Sequence, residues 1–140
     1  LSESAELHIV HAWTAIGEGF LMGGFAARPV EEVVSYVEEV EQHHSQNLSI
    51  LINEIIDNLG SDAMEYLKPE KHSIKGYPRK IIPELAAEIR ADLVIMGTVA
   101  RISLSGFFMG NTAEDILSQL DCSLMAIKPQ GFKTPVTLDE

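Results

Sequence analysis

Four consecutive apolar residues, Leu93-Val94-Ile95-Met96, run directly into Gly97. An unbroken apolar run of this length reads as a strand buried on both faces of a parallel sheet. The stretch from Gly97 to Thr112 follows, with further glycines at 106 and 110. Ala113-Glu114-Asp115-Ile116-Leu117 then reads as the opening of a helix. Parallel strands need crossover connections, so this pattern commits the chain to an α/β fold. It is also a geometry suited to phosphate. A helix start offers unpaired N–H groups and partial positive charge, and glycine admits close backbone approach. Taken alone, the segment leaves a plainer alternative open, in which Gly97 only turns the chain and Asn111 only caps the helix.

The rest of the chain alternates in the same way. Leu7 to Trp13 reads as a first strand with apolar residues on both faces. Residues 14–28 show neither period and read as a loop. Pro29 suits a first helical turn. Val30, Val33, Val34, Val37, Val40, His44, Leu48, Leu51, Ile52, Ile55 and Leu59 keep helical spacing up to Gly60, the expected C-cap. Lys71 to Gly76 is a weaker strand. A helix is expected from about Arg79 to Arg90 with Ile81, Ile82, Leu85, Ala86 and Ile89 facing inward. Within it Pro83 either begins a second segment or kinks the first. Helix from Asn111 to Gln119 and a strand from Ser123 to Lys128 complete the order. The whole predicts an open parallel sheet with helices on both faces.

Charge narrows the partners. The formal net charge of −11 disfavours broad contact with nucleic acid or an anionic membrane, since phosphate backbones need Lys and Arg to displace counterions. A nucleotide is less affected, because it needs only one local pocket. No apolar run approaches the ~20 residues that span a bilayer. The one cysteine, Cys122, permits no internal disulfide and fits a reducing cytoplasm.

Three segments together resemble the universal stress protein family. They are Asp92-Leu93-Val94-Ile95-Met96-Gly97-Thr98, Ser105-Gly106-Phe107-Phe108-Met109-Gly110-Asn111-Thr112-Ala113-Glu114, and Cys122-Ser123-Leu124-Met125. The family pattern is a strand ending Met-Gly, then Gly-x2-Gly-x9-Gly-Ser/Thr, then a helix and a final strand. Thr98-Val99, Gly110 to Glu114 and the tail Lys133 to Asp139 sharpen the likeness to the second domain of tandem members. The resemblance implies a nucleotide-binding α-hydrolase-like α/β fold. It also implies that residues 1–129 form a domain lacking its first strand and first helix, with 130–140 as an extended tail. In that fold the missing strand lies between those at 7–13 and 92–97, so the expectation is that folding requires an upstream segment.

By the same resemblance, Gly97 and Gly110 match the glycines that lie against phosphate. Asn111 and Thr112 are then the expected further phosphate contacts by their N–H and hydroxyl donors, Arg101 the expected cation as the only one in the loop, and Ala12 and Met96 the adjacent walls. ATP is then the implied ligand, with Mg as its companion. Three departures count against it. Ala100 stands where the family has its second glycine, Asn111 stands where the family has a hydroxyl, and the nucleotide-contacting Asp that the resemblance places in the missing first strand is expected to be lacking. The rival reading is therefore a dimerisation or protein-interaction module of the same fold without nucleotide. Its expected partner is a second copy or a preceding tandem domain, with no nucleic acid and no membrane.

Catalytic candidates are lacking. The chain carries no Gly-x-Ser-x-Gly, His-Glu-x-x-His or Gly-Lys-Ser/Thr motif, and a regulatory module rather than an enzyme is expected, with room only for weak ATP hydrolysis. Five histidines raise the question of metal. His43 and His44 are adjacent and would point about 100° apart on a helix, whereas His8 and His11 would face opposite sides of a strand. No His/Cys spacing matches a zinc site, so no protein-held metal is expected. Ser103 and Ser105 read as solvated loop hydroxyls. Trp13, Phe107 and Phe108 read as core or interface, and Cys122 as a small packed side chain.

Overall fold

The computed structural model describes residues 5–23, 27–60, 68–97, 111–128 and 131. Four strands and four helices alternate within them. These are β1 (His8–Trp13), α1 (Glu18–Met22), α2 (Val30–Leu59), β2 (Glu70–Lys75), α3 (Pro78–Glu88), β3 (Leu93–Gly97), α4 (Asn111–Leu117) and β4 (Ser123–Ile127). Pairing is parallel throughout, as the apolar runs predict. Among the described residues it forms two two-stranded sheets, β1 with β2 and β3 with β4. The chain divides correspondingly into two compact units, Leu1–Tyr77 and Pro78–Glu140.

In the first unit, His8 to Trp13 run in register with Glu70 to Lys75. The two-residue period places Ile9, His11 and Trp13 on one face and His8, Val10 and Ala12 on the other. Helix α2 packs on the first of these faces, against both strands. Val33, Leu48 and Ile52 are its buried positions, together with Trp13 from β1. Gly60 ends the helix with φ of 93°, its N–H donating to the Ile56 carbonyl at 3.2 Å. That conformation favours glycine, so the expected cap holds for a physical reason.

Residues 14–28, read as loop, contain the short helix α1. Gly17 in the left-handed region starts it, with φ of 84° and the Leu21 N–H donating to its carbonyl at 2.9 Å. None of its residues is buried, which is why no apolar period marks it. It is held by contact with α2 and by the Lys75–Glu18 ion pair at 2.6 Å.

The second unit is built on the β3–β4 pair, with Leu93 opposite Ser123 and Gly97 opposite Ile127. Helix α3 packs against α4, and Leu85, Ala86, Ala113 and Ile116 are buried apolar residues of the two. Pro83 lies inside α3 and does not split it. Proline has no N–H to give the carbonyl four residues earlier. That carbonyl, on Arg79, accepts a hydrogen bond from the Gln119 side chain at 3.2 Å. The helix was expected to reach Arg90, but it stops at Glu88. Arg90 adopts φ of 52°, its N–H meets the Ala87 carbonyl, and the Ala91 N–H reaches back to Ala86 at 2.8 Å. This is a Schellman turn with arginine in the position glycine usually holds.

Candidate functional site

The site expected from the sequence begins where β3 ends and resumes where α4 starts. Gly97 closes β3 and Asn111 opens α4. Ala113 is 4% exposed and Ile116 is 0% exposed, so the apolar face of α4 fixes the direction of its N-terminus. Glu114 lies in the first turn, where negative charge suits the macrodipole. Thr112 is exposed beside it. Arg79 approaches Asp115 at 3.9 Å, an exposed pair of small energetic weight.

Gly97 is informative because its surroundings do not demand glycine. Its φ lies outside the left-handed range, and a Cβ built on it would meet no atom within 4 Å. Neither backbone conformation nor packing among the described residues accounts for the absence of a side chain there. Met96 beside it is half-buried in β3. Ala12, the other expected wall, is half-buried in β1 of the first unit. Ala100, Arg101 and Gly110 lie outside the described residues, as do Ser103, Ser105, Phe107 and Phe108, and the tail but for Gly131.

The histidines are arranged in ways the sequence only partly foretells. His8 and His11 do face opposite sides of β1. His11 points to α2, where its Nε2 lies 2.9 Å from Nδ1 of His44. His44 also stacks on Trp13, with ring centroids 5.4 Å apart and planes 14° from parallel. Burial, and secondarily His44, holds the His11 pKa below the ordinary 6.5. Trp13 is 4% exposed, a core residue as read. Adjacent His43 turns outward and meets Asn47 at 3.0 Å.

On the other face of β1, Nδ1 of His8 lies 2.9 Å from Nε2 of His72. Their rings stack with centroids 5.2 Å apart. Oε2 of Glu70 is 3.7 Å from the same His8 nitrogen. Sequence spacing missed this cluster because His8 lies 62 and 64 positions before Glu70 and His72, and only the β1–β2 register joins them. Cys122, read as packed, is half-buried just ahead of β4. Among the described residues no helix is long and apolar enough to cross a membrane.

Comparison with known proteins fits this architecture. The model of the universal stress protein family matches residues 1–128. Universal stress protein E of Salmonella typhi is 48% identical over 69 residues, which cover 49% of this chain and 22% of that protein. The universal stress protein E homolog of Haemophilus influenzae is 53% identical over 58 residues, covering 41% of this chain and 19% of its own length. The chain thus matches only about a fifth of the length of these relatives. Among solved structures, the hypothetical protein MJ0577 superposes with a TM-score of 0.64 at 16% identity, covering 91% of this chain and 78% of that one. That superposition shows the shared fold, and the family model, which spans nearly every residue, establishes that this chain belongs to the universal stress protein family, a family of stress-response proteins.

Proposed function

We propose that this chain is a cytoplasmic regulatory module that senses ATP or a related phosphate ligand through residues 97–112. The observation that carries the reading is Gly97. Among the described residues its glycine is required by neither backbone nor neighbours, yet it stands where a strand hands over to the segment before a helix start. A residue whose missing side chain serves no packing among those residues fits a position that a ligand approaches closely. Family membership supports the same reading. In it, Gly97 and Gly110 give backbone room, while Asn111 and Thr112 donate from the start of α4. Arg101 supplies the one cation of the segment, and Mg arrives with the nucleotide. Nothing in this set is a nucleophile or a general base, so the role is sensing rather than turnover.

The second reading, an interaction module without nucleotide that works through a second copy or a tandem domain, is favoured by one observation. Ala100 adds a methyl where the family has glycine. Ligand extraction from the purified full chain, identified by mass spectrometry, separates the two. Calorimetric titration with MgATP then tests the residues. Asn111→Asp puts an acidic residue at the first position of α4, where negative charge suits the macrodipole, while placing a carboxylate against phosphate. At ~4 Å and an effective dielectric of ~20 the repulsion is about 4 kcal/mol per charge pair. Affinity should therefore fall by on the order of 100-fold or more, and an unchanged affinity refutes the assigned pocket.

A further inference from the structure

We infer that His8, His72 and Glu70 form a binding site for a late first-row divalent cation, zinc above all, at the start of the β1–β2 ribbon. The three groups each offer a ligand atom, and all three atoms lie within 4.8 Å of one another. Their meeting follows from the fold. Parallel register sets Glu70 directly beside His8, and the two-residue period returns His72 to the same face one step along. Both imidazoles are therefore carried by paired backbone rather than by a loop. The site lies on the face of the ribbon opposite α2. It is also at the strands' N-terminal ends, and it shares no residue with the segment proposed to hold phosphate.

The geometry is close to what zinc requires. Tetrahedral coordination with Zn–N near 2.0–2.1 Å places two ligand nitrogens about 3.3 Å apart. The His8 Nδ1 to His72 Nε2 separation is 2.9 Å, a few tenths of an ångström shorter. The His8 Nδ1 to Glu70 Oε2 separation is 3.7 Å, a few tenths longer. Glu70 is largely exposed, with 67% of its side chain accessible, so its carboxylate is free to close over an ion held by the two rings. On the far side of the His8 ring, Nε2 faces Oε2 of Glu6 at 3.7 Å. A carboxylate behind a ligating imidazole is the usual outer partner of such sites, because it fixes the ring and raises its basicity.

Ligand type selects the metal. Two imidazoles and one carboxylate suit zinc and its neighbours, whereas magnesium and calcium prefer all-oxygen shells. Three protein ligands leave a fourth position for water or an incoming group, the pattern of sites that exchange or react rather than merely brace a fold. The protein's formal charge of −11 favours cation capture in general, but it does not choose these residues. The alternative for the His8–His72 contact is a simple N–H···N hydrogen bond, and experiment must separate the two.

Zinc chloride titrated into the metal-free full chain against a chromophoric chelator should reveal one tight equivalent per chain. Loss of an outer partner costs roughly 10–100-fold in metal affinity, so losing a ligand should cost at least that much. His8→Gln and His72→Gln should each weaken zinc by more than 100-fold. Glu70→Gln, at an exposed strand start where folding is not at issue, should weaken it about 10-fold or more. His44→Gln, which alters the separate histidine pair on the opposite face, should bind as the parent does. Cobalt in place of zinc should give the intense visible bands of a tetrahedral ion, and these should vanish in Glu70→Gln. Absence of a tight equivalent, or a loss that follows His44 instead of His8, His72 and Glu70, overturns the assignment.

Discussion

Ile116 is the one large side chain that is wholly buried among the described residues, and replacing it with alanine is the sharpest test of how α4 is held. The substitution removes three carbons beyond Cβ. At roughly 0.8 kcal/mol per buried methylene the transfer loss is about 2.4 kcal/mol. The cavity adds about 24 cal/mol per Å³ that does not collapse, so a total of about 3–4 kcal/mol is expected, inside the ~2–5 kcal/mol range of such changes. Ile116→Val removes one carbon and should cost about 0.5–1.5 kcal/mol. Leu117, next in the chain, is 46% exposed and provides the control. Its alanine variant loses only the buried part of a similar side chain and should cost no more than about 1.5 kcal/mol. Equilibrium urea unfolding of the full chain, followed by far-ultraviolet circular dichroism, gives each value from the shift in midpoint at constant slope. A cost for Ile116→Ala no larger than that for Leu117→Ala would refute the view that this residue anchors the helix. Because Ile116 fixes the direction of the α4 N-terminus, the same variant should also weaken MgATP at a temperature where it remains folded.

Two further outcomes follow from local features. The His11 pKa is lowered in the folded state, so the unfolded chain binds more protons there as pH falls; stability should decline below about pH 6.5 toward the lowered folded value and change no further beneath it. Urea midpoints compared at several pH values between about 5 and 7.5 should show a shallower decline in His11→Gln, and identical slopes would exclude His11 as the cause. Gln119→Ala removes the donor that serves the Arg79 carbonyl and should cost about 0.5–1.5 kcal/mol. In a Pro83→Ala background, where the helix supplies its own N–H, the cost should shrink, and a double-mutant cycle with no coupling would contradict that pairing.

The reach of sequence reasoning here tracks the range of the forces involved. Strands and long helices declare themselves through their own periods. The buried set Val33, Leu48 and Ile52 lies on one stripe, and Gly60 ends α2 as its position implies. Short elements without a buried face leave no such mark, and α1 with no buried residue is the case in point. End points set by hydrogen bonding also escape, since nothing in the letters around Arg90 foretells an arginine with positive φ. Non-local constellations are the hardest. Inspection of neighbouring histidines correctly separates His8 from His11 and His43 from His44. It cannot bring His8 to His72, because that meeting depends on a strand register chosen by the whole first unit. The segment proposed to hold phosphate, by contrast, is marked by its glycines and its flanking elements, and the structure contributes the observation that neither backbone conformation nor packing among the described residues requires glycine at 97.

The bond from Gln119 to the Arg79 carbonyl has a consequence for fidelity of assembly. Small and branched apolar residues such as Ala86, Ala113 and Ile116 would tolerate a neighbouring helix that slid or rotated by a fraction of a turn, since apolar contact is indifferent to register. A proline that silences one N–H makes a single carbonyl on α3 conspicuous, and only one placement of α4 and its following turn brings an amide to meet it. A displaced arrangement would forfeit this exposed bond, worth about 0.5–1.5 kcal/mol, and leave the Gln119 amide with the Asp115 carbonyl at 2.7 Å. The defect in one helix thereby acts as a registration mark for the other, steering the two toward a single docking at the stage of folding when several nearly equal ones compete.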